Sequence, residues 1–227
     1  MICKNKAWKY YRFRFARFYG GIATADCVGC NLKCVFCWSS RPRDNPEAYG
    51  KFYEPEEVAS KLIEIAKRKG IRRLRISGNE PTLCKKHLLK VIDLIPENYL
   101  FILETNGTLI NRNFAKKLSK FPNLHVRVSI KGIDEEQFEE VTKRSRNAWE
   151  QIFRGLNALE NFGVSYHVAI MDALIYDEVS FSNFLEKLAS INDSLVHQLE
   201  IEPLIIMSHV RKGIMELTSK GYLKLKN

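Results

Sequence analysis

The chain has no apolar run long enough to cross a bilayer: its most hydrophobic late stretch, 195–207, is interrupted by His197, Gln198, Glu200 and Glu202. Its first residues, Met1-Ile2-Cys3-Lys4, lack the apolar core of a signal peptide. Both absences point to a cytoplasmic protein with no membrane partner. No Gly/Ser-rich linker and no internal repeat divides the 227 residues, a length that can bury a sizeable core, so one domain over 1–227 is expected. Cysteine is scarce, six in all, yet three of them crowd the segment Cys30-Asn31-Leu32-Lys33-Cys34-Val35-Phe36-Cys37. In a cytosolic chain such clustering reads as metal ligation or redox chemistry more readily than as disulfides. Acidic residues are outnumbered, 26 against 36 Lys and Arg, a net charge of +10 that favours an acidic partner. Nucleic acid, an acidic electron-transfer protein and the Lys-rich surface of a thermophile all fit that number.

Past the cysteines, short β-rich runs alternate with helical patterns, the rhythm of βα units. Strands are predicted over 20–25, 72–77, 100–105, 124–131, 164–171 and 198–203. Helices are predicted over 56–69, near 85–95, near 113–120, after Asp134, over 181–191 and over 210–220. Pro55 and Gly70 punctuate the first of these helices, and Asp134 with Gln137 reads as a capping box. Strand faces decide the architecture. Val126, Val128 and Ile130 share one face while Arg127, Ser129 and Lys131 share the other; Glu104, His167, Glu200 and Glu202 repeat the pattern. Polar faces on parallel strands belong against a wet or ligand-filled interior, or against one filled by internal salt bridges. The fold class is therefore α/β, an open partial (β/α)6 barrel. Residues 1–19 form a basic and aromatic N-terminal β-rich extension, expected as a capping hairpin. Its alternation of aromatics and cations from Trp8 to Tyr19 is also a pattern that stacks on bases and holds phosphates.

The spacing C-x3-C-x2-C on a loop after a strand lets three thiolates converge on one inorganic centre. Zinc, with Cys27 as fourth ligand, is one candidate, but four-cysteine zinc sites usually separate two CxxC hairpins by a longer loop. Three cysteines on a four-iron cluster would leave one iron open to a ligand. Cys30, Cys34, Phe36 and Cys37 resemble the C-x3-C-x-aromatic-C hallmark of the radical S-adenosylmethionine (SAM) superfamily, whose fold is the partial barrel. Ser77-Gly78-Asn79-Glu80-Pro81 resembles that family's glycine-glycine-glutamate-proline segment, with Asn79 in place of the second glycine, where a side chain could crowd the cofactor. Glu104-Thr105-Asn106-Gly107 and Ser129-Ile130-Lys131 resemble segments of the pyruvate formate-lyase activating enzyme and similar activases.

The resemblance implies a 4Fe-4S cluster on Cys30, Cys34 and Cys37. It implies SAM contacts at Phe36, Gly78, Asn79, Glu80, Glu104, Thr105, Ser129 and Lys131. Cys27, Cys3 and Cys84 are expected to be inert thiols, Cys27 close to the cluster. The implied activity is reductive cleavage of SAM to a 5′-deoxyadenosyl radical that removes hydrogen from a substrate. A protein or peptide substrate is favoured by the activase-like segments. A tRNA- or nucleoside-modifying enzyme, an enzyme acting on a small molecule, and a non-enzymatic zinc or iron-sulfur module are the alternatives. The implied electron donor is an acidic flavodoxin or ferredoxin.

Overall fold

A computed structural model describes residues 2–225; Met1, Lys226 and Asn227, counted in the expected domain, lie outside the described residues. Nine strands form one sheet among them: β1 (Cys3–Lys4), β2 (Ala7–Ala16), β3 (Ile22–Cys27), β4 (Lys51–Tyr53), β5 (Arg73–Ser77), β6 (Leu100–Thr105), β7 (Leu124–Ile130), β8 (Tyr166–Met171) and β9 (Glu200–Glu202). The order is β1-β2-β3-β5-β6-β7-β8-β9, with β4 on β2. From β3 to β9 every pairing is parallel, giving the six strands of an open (β/α)6 barrel. No helix among the described residues is long and apolar enough to cross a membrane.

The helix Pro55–Lys69 shows how local sequence fixes the crossovers. Pro55 sits at its first position, Glu54 and Glu57 cap each other's backbone N–H groups, and Gly70 ends it at φ 65°. Its buried stripe, Val58, Ala59, Leu62, Ile65 and Ala66, packs on β2, β3 and β5. Leu62 is fully buried, so truncation to alanine would cost roughly 2–5 kcal/mol. On β7 the apolar face, Val126, Val128 and Ile130, is completely buried under helices.

The opposite, inward face carries charge. Arg75 pairs with Glu104 at 2.5 Å; Arg127 donates to Glu200 at 2.8 and 3.0 Å and to Glu202 at 2.9 Å. His167 Nε2 lies 2.8 Å from Glu200, and His167 Nδ1 lies 2.6 Å from His125 Nε2. Salt bridges therefore fill part of the interior. Tyr19, held at φ 54° in the turn before β3, adds its hydroxyl to Glu104 at 3.3 Å.

Four features differ from the sequence reading. The N-terminal extension makes a hairpin only at β1; β2 is a long strand that continues the sheet antiparallel to β3, because Trp8 and Tyr10 are core residues. Asp134 does accept from Gln137 N at 2.7 Å, but the Gln137 side chain accepts from Ile133 N and donates to Leu174 O and Tyr222 O, so no reciprocal box forms. The helix that follows, Glu135–Thr142, ends at Lys143 with φ 55°, and a second helix, Asn147–Asn161, takes over. Lastly, Cys3 and Cys84 are not thiols: they form a disulfide across 81 positions, since β1 returns beside the turn Pro81–Cys84.

Candidate functional site

The cysteine loop leaves β3 at Cys27 and is held at several points. Lys33 N and Val35 N donate to Thr142 O and Val141 O at 2.8 and 3.0 Å, fastening the loop to the end of the helix Glu135–Thr142. Cys37 N donates to Cys34 O at 3.2 Å, and Arg43 Nη1 donates to the same carbonyl at 2.8 Å. Cys34 is buried, while Cys30 and Cys37 are half-buried. Cys30 Sγ accepts from Leu32 N at 3.3 Å and lies 3.9 Å from Asn106 Nδ2.

Burial pushes the Cys34 thiol up to about 12, with Lys131 acting against it. Burial also raises Cys37, against the opposing effect of Arg43. Cys30 is raised well above the usual thiol range by burial and then by Glu80 and Cys34. The donor set suits an iron-sulfur cluster: three soft thiols within one another's electrostatic range, two cations that favour their thiolate forms, and N–H donors on a sulfur. No three His, Cys, Asp or Glu side chains among the described residues converge closely enough to hold a single metal ion. Cys27 is fully buried under the loop, raised by burial and opposed by the backbone N–H of Asn79.

The second segment comes from the end of β5. Gly78 has φ 97°, and a Cβ there would stand 3.0 Å from Asp26 Cα and 3.1 Å from Cys27 N, so only glycine fits. The Asn79 side chain turns into the cysteine loop. Its Oδ1 accepts from Gly29 N at 2.9 Å and its Nδ2 donates to Ser39 O at 3.1 Å, bridging both ends of the loop. Glu80 N donates to Gly29 O at 2.9 Å.

The Glu80 carboxylate is buried and accepts four hydrogen bonds, from Thr82 N and Oγ1 at 3.0 and 2.5 Å, Thr105 Oγ1 at 2.6 Å and Asn106 N at 2.8 Å. Its side chain therefore braces the turn. Thr105 serves the same brace. Glu104, its neighbour on β6, points to the opposite face and joins Arg75. Ser129 accepts from Lys131 Nζ at 2.5 Å, and that ammonium lies 5.9 Å from the Phe36 ring centre, beside the cysteines. Thus Phe36, Gly78, Asn79, Ser129 and Lys131 gather at the thiols, Glu80 and Thr105 support them from behind, and Glu104 stands apart.

Sequence reasoning passed over Asn106, which touches Cys30, Asn31 and Glu80 together, although its place in the Glu104–Gly107 segment marked it. It also passed over Asp26, buried one residue before Cys27 and flanked by Arg12 and Arg14.

An open parallel α/β barrel with three thiols on the loop after its first parallel strand, and a glycine turn at the end of the next, defines an enzyme that handles a cofactor at an iron-sulfur cluster. The chain belongs to the radical SAM superfamily, whose family model matches residues 26–188. That family uses a 4Fe-4S cluster and SAM. The chain is 29% identical over 189 residues to a probable GTP 3′,8-cyclase of Methanococcus vannielii, covering 80% of this chain and 59% of that protein. It is 30% identical over 156 residues to the GTP 3′,8-cyclase of Thermodesulfovibrio yellowstonii, covering 66% and 47%. The chain thus spans about half the length of these relatives. The solved structure of native anSMEcpe with bound AdoMet shares the fold, with a TM-score of 0.60 and 19% identity over 79% of this chain and 50% of that one. These curated relatives are cyclases, not the activases that the segments at 104–107 and 129–131 resemble.

Proposed function

We propose that this radical SAM enzyme acts on a small molecule of the nucleotide class and not on a protein or peptide. The observation that carries the reading is its likeness to two GTP 3′,8-cyclases over most of this chain, on a site whose interior is lined with arginines. The peptide reading rested on the activase-like segments; of these Glu104 is engaged by Arg75 and is not available beside the thiols. The nucleic-acid reading keeps only part of its stacking surface, since Trp8 and Tyr10 are buried in the core while Phe15, Phe18 and Tyr19 stay exposed.

When bound, the reduced cluster and SAM supply a one-electron cleavage that yields methionine and a hydrogen-abstracting 5′-deoxyadenosyl radical. The chain's own residues divide the remaining work. Cys30, Cys34 and Cys37 would hold the cluster, and the backbone from Ser77 to Glu80, kept in place by the Glu80 brace, would receive the methionyl amino group. Lys131, steadied by Ser129, would take a carboxylate or ribose oxygen. Phe36, itself buried, would limit the access of water to Cys34. We assign electron delivery to an acidic flavodoxin- or ferredoxin-type donor, to which the net charge of +10 is complementary.

Anaerobically reconstituted protein with dithionite should cleave SAM to 5′-deoxyadenosine slowly alone and several-fold faster with GTP, with deuterium passing from labelled GTP into the 5′-deoxyadenosine. Stimulation by a peptide and none by GTP would reverse the choice of substrate.

A further inference from the structure

Cations and carboxylates inside the barrel are not matched one to one. Arg127 takes two carboxylates, Glu200 and Glu202. Toward the other end of the sheet one carboxylate serves two guanidiniums. Nε of Arg12 and Nε of Arg14 both donate to Asp26 Oδ2, at 2.6 and 2.8 Å, and Arg14 Nη2 reaches Oδ1 at 3.4 Å. Asp26 is completely buried, whereas the Arg14 and Arg12 side chains are 28% and 51% exposed. Among the described residues no second carboxylate pairs with either guanidinium. The group carries one net positive charge.

Strand geometry puts it inside. Phe13, between the two arginines, packs on Tyr10 and Tyr53 on the helix side, so Arg12 and Arg14 project to the concave face with Asp26 and Thr24. It also adjoins the cofactor segment: Asp26 is paired in register with Ser77, and Asp26 Cα is the atom that forbids a side chain at Gly78.

We propose that Arg12, Arg14 and Asp26 form the anion site of the barrel and take a phosphate group of the substrate. Guanidinium forks match phosphate oxygens two at a time. Asp26 offsets the repulsion between the two arginines and fixes both by their inner nitrogens before a ligand arrives, so little side-chain freedom remains to be lost on binding. The SAM carboxylate is the other anion the site would receive, but Lys131, proposed above to take it, follows β7 on a different flank, over Phe36 beside the cysteines. This assignment rests on the small-molecule reading above.

Calorimetric titration of the anaerobic, cluster-loaded protein with inorganic triphosphate, GTP and SAM tests it. Arg12→Gln with Arg14→Gln should weaken triphosphate and GTP at least tenfold and change SAM affinity less than twofold. Because that pair strands a buried carboxylate, which can unfold a protein, the triple variant adding Asp26→Asn is the companion and should show the same loss. Triphosphate binding that is absent in the wild type, or unchanged in the triple variant, overturns the site. An equal loss of SAM affinity overturns it too, by assigning the group to the cofactor. Arginine-dependent binding of triphosphate with GTP bound no more tightly supports the anion site while sinking the nucleotide reading.

Discussion

Asn79 occupies the place of a family glycine, yet its amide can be oriented without ambiguity, because its partners are an N–H of Gly29 and a carbonyl of Ser39. It therefore joins the two ends of the cysteine loop in a way that glycine cannot. Two such hydrogen bonds are together worth about 2 kcal/mol. Asn79→Gly should leave the fold intact but speed iron loss to a strong chelator by roughly tenfold, the order that a cost of this size allows. Release at the wild-type rate would show the bridge to be idle. Glu80 is a harsher case. In Glu80→Gln an amide must face either Asn106 N–H or the Thr82 and Thr105 donors, leaving a donor opposite a donor at a cost of about 1–3 kcal/mol. Chemical unfolding of the cluster-free protein should record that loss, and a midpoint equal to that of the wild type would mean the brace carries no stability.

Elements were legible in the sequence to the extent that their signals were local. Six parallel strands, the helix opened by Pro55 and closed by Gly70, and the inward polar face of β7 were all readable from period and punctuation. The stop at Lys143 was not, since a lysine in the left-handed region carries no glycine signal, and the helix Asn147–Asn161 was not predicted. The cysteine spacing and the glycine turn were readable; the partners of Asp26 and Asn79 were not, because they arrive from other strands and loops. The disulfide was hidden likewise by its separation of 81 positions. Closing so long a loop is worth about 4 kcal/mol in the chain-entropy account. Cys3→Ser should therefore lower the unfolding midpoint under oxidising conditions and match the wild type once both are fully reduced. A difference that persists in reductant would point to lost packing instead.

The ladder on β7, β8 and β9 sets an acid response at the same scale. The hydrogen bond from His167, then that from Arg127, holds Glu200 down to about 2 from its ordinary 4.5. A carboxyl depressed in the fold stabilises it above the unfolded value, and that contribution fades as pH falls from 4.5 toward 2. Glu200→Gln should flatten stability against pH over this window relative to the wild type. Parallel curves for the two proteins there would show that the ladder does not couple to folding.

For the molecule as a whole, the charge of +10 must be apportioned before it argues for a partner. Arg75 and Arg127 are committed to interior carboxylates, Arg12 and Arg14 share Asp26 and keep one positive charge inside the barrel, and Lys9 is buried with its ammonium on Pro46 O and Glu47 O. Next to the thiols, by contrast, the outer face of the loop presents Lys33, Trp38 and Arg41 to solvent. An acidic donor docked there would sit close to the cluster, and steering by exposed charges is screened once ionic strength shortens the Debye length to about 10 Å at 0.1 M. SAM cleavage driven by reduced flavodoxin should therefore fall steeply with added salt, while cleavage driven by dithionite should not. Reversing Lys33 and Arg41 to glutamate should reduce the flavodoxin-driven rate on the order of tenfold, the span that steering supplies, and leave the dithionite-driven rate within a factor of two. Should both rates fall together, the reversed charges have disturbed the loop and not the encounter; should neither fall, the donor reaches the cluster from another face.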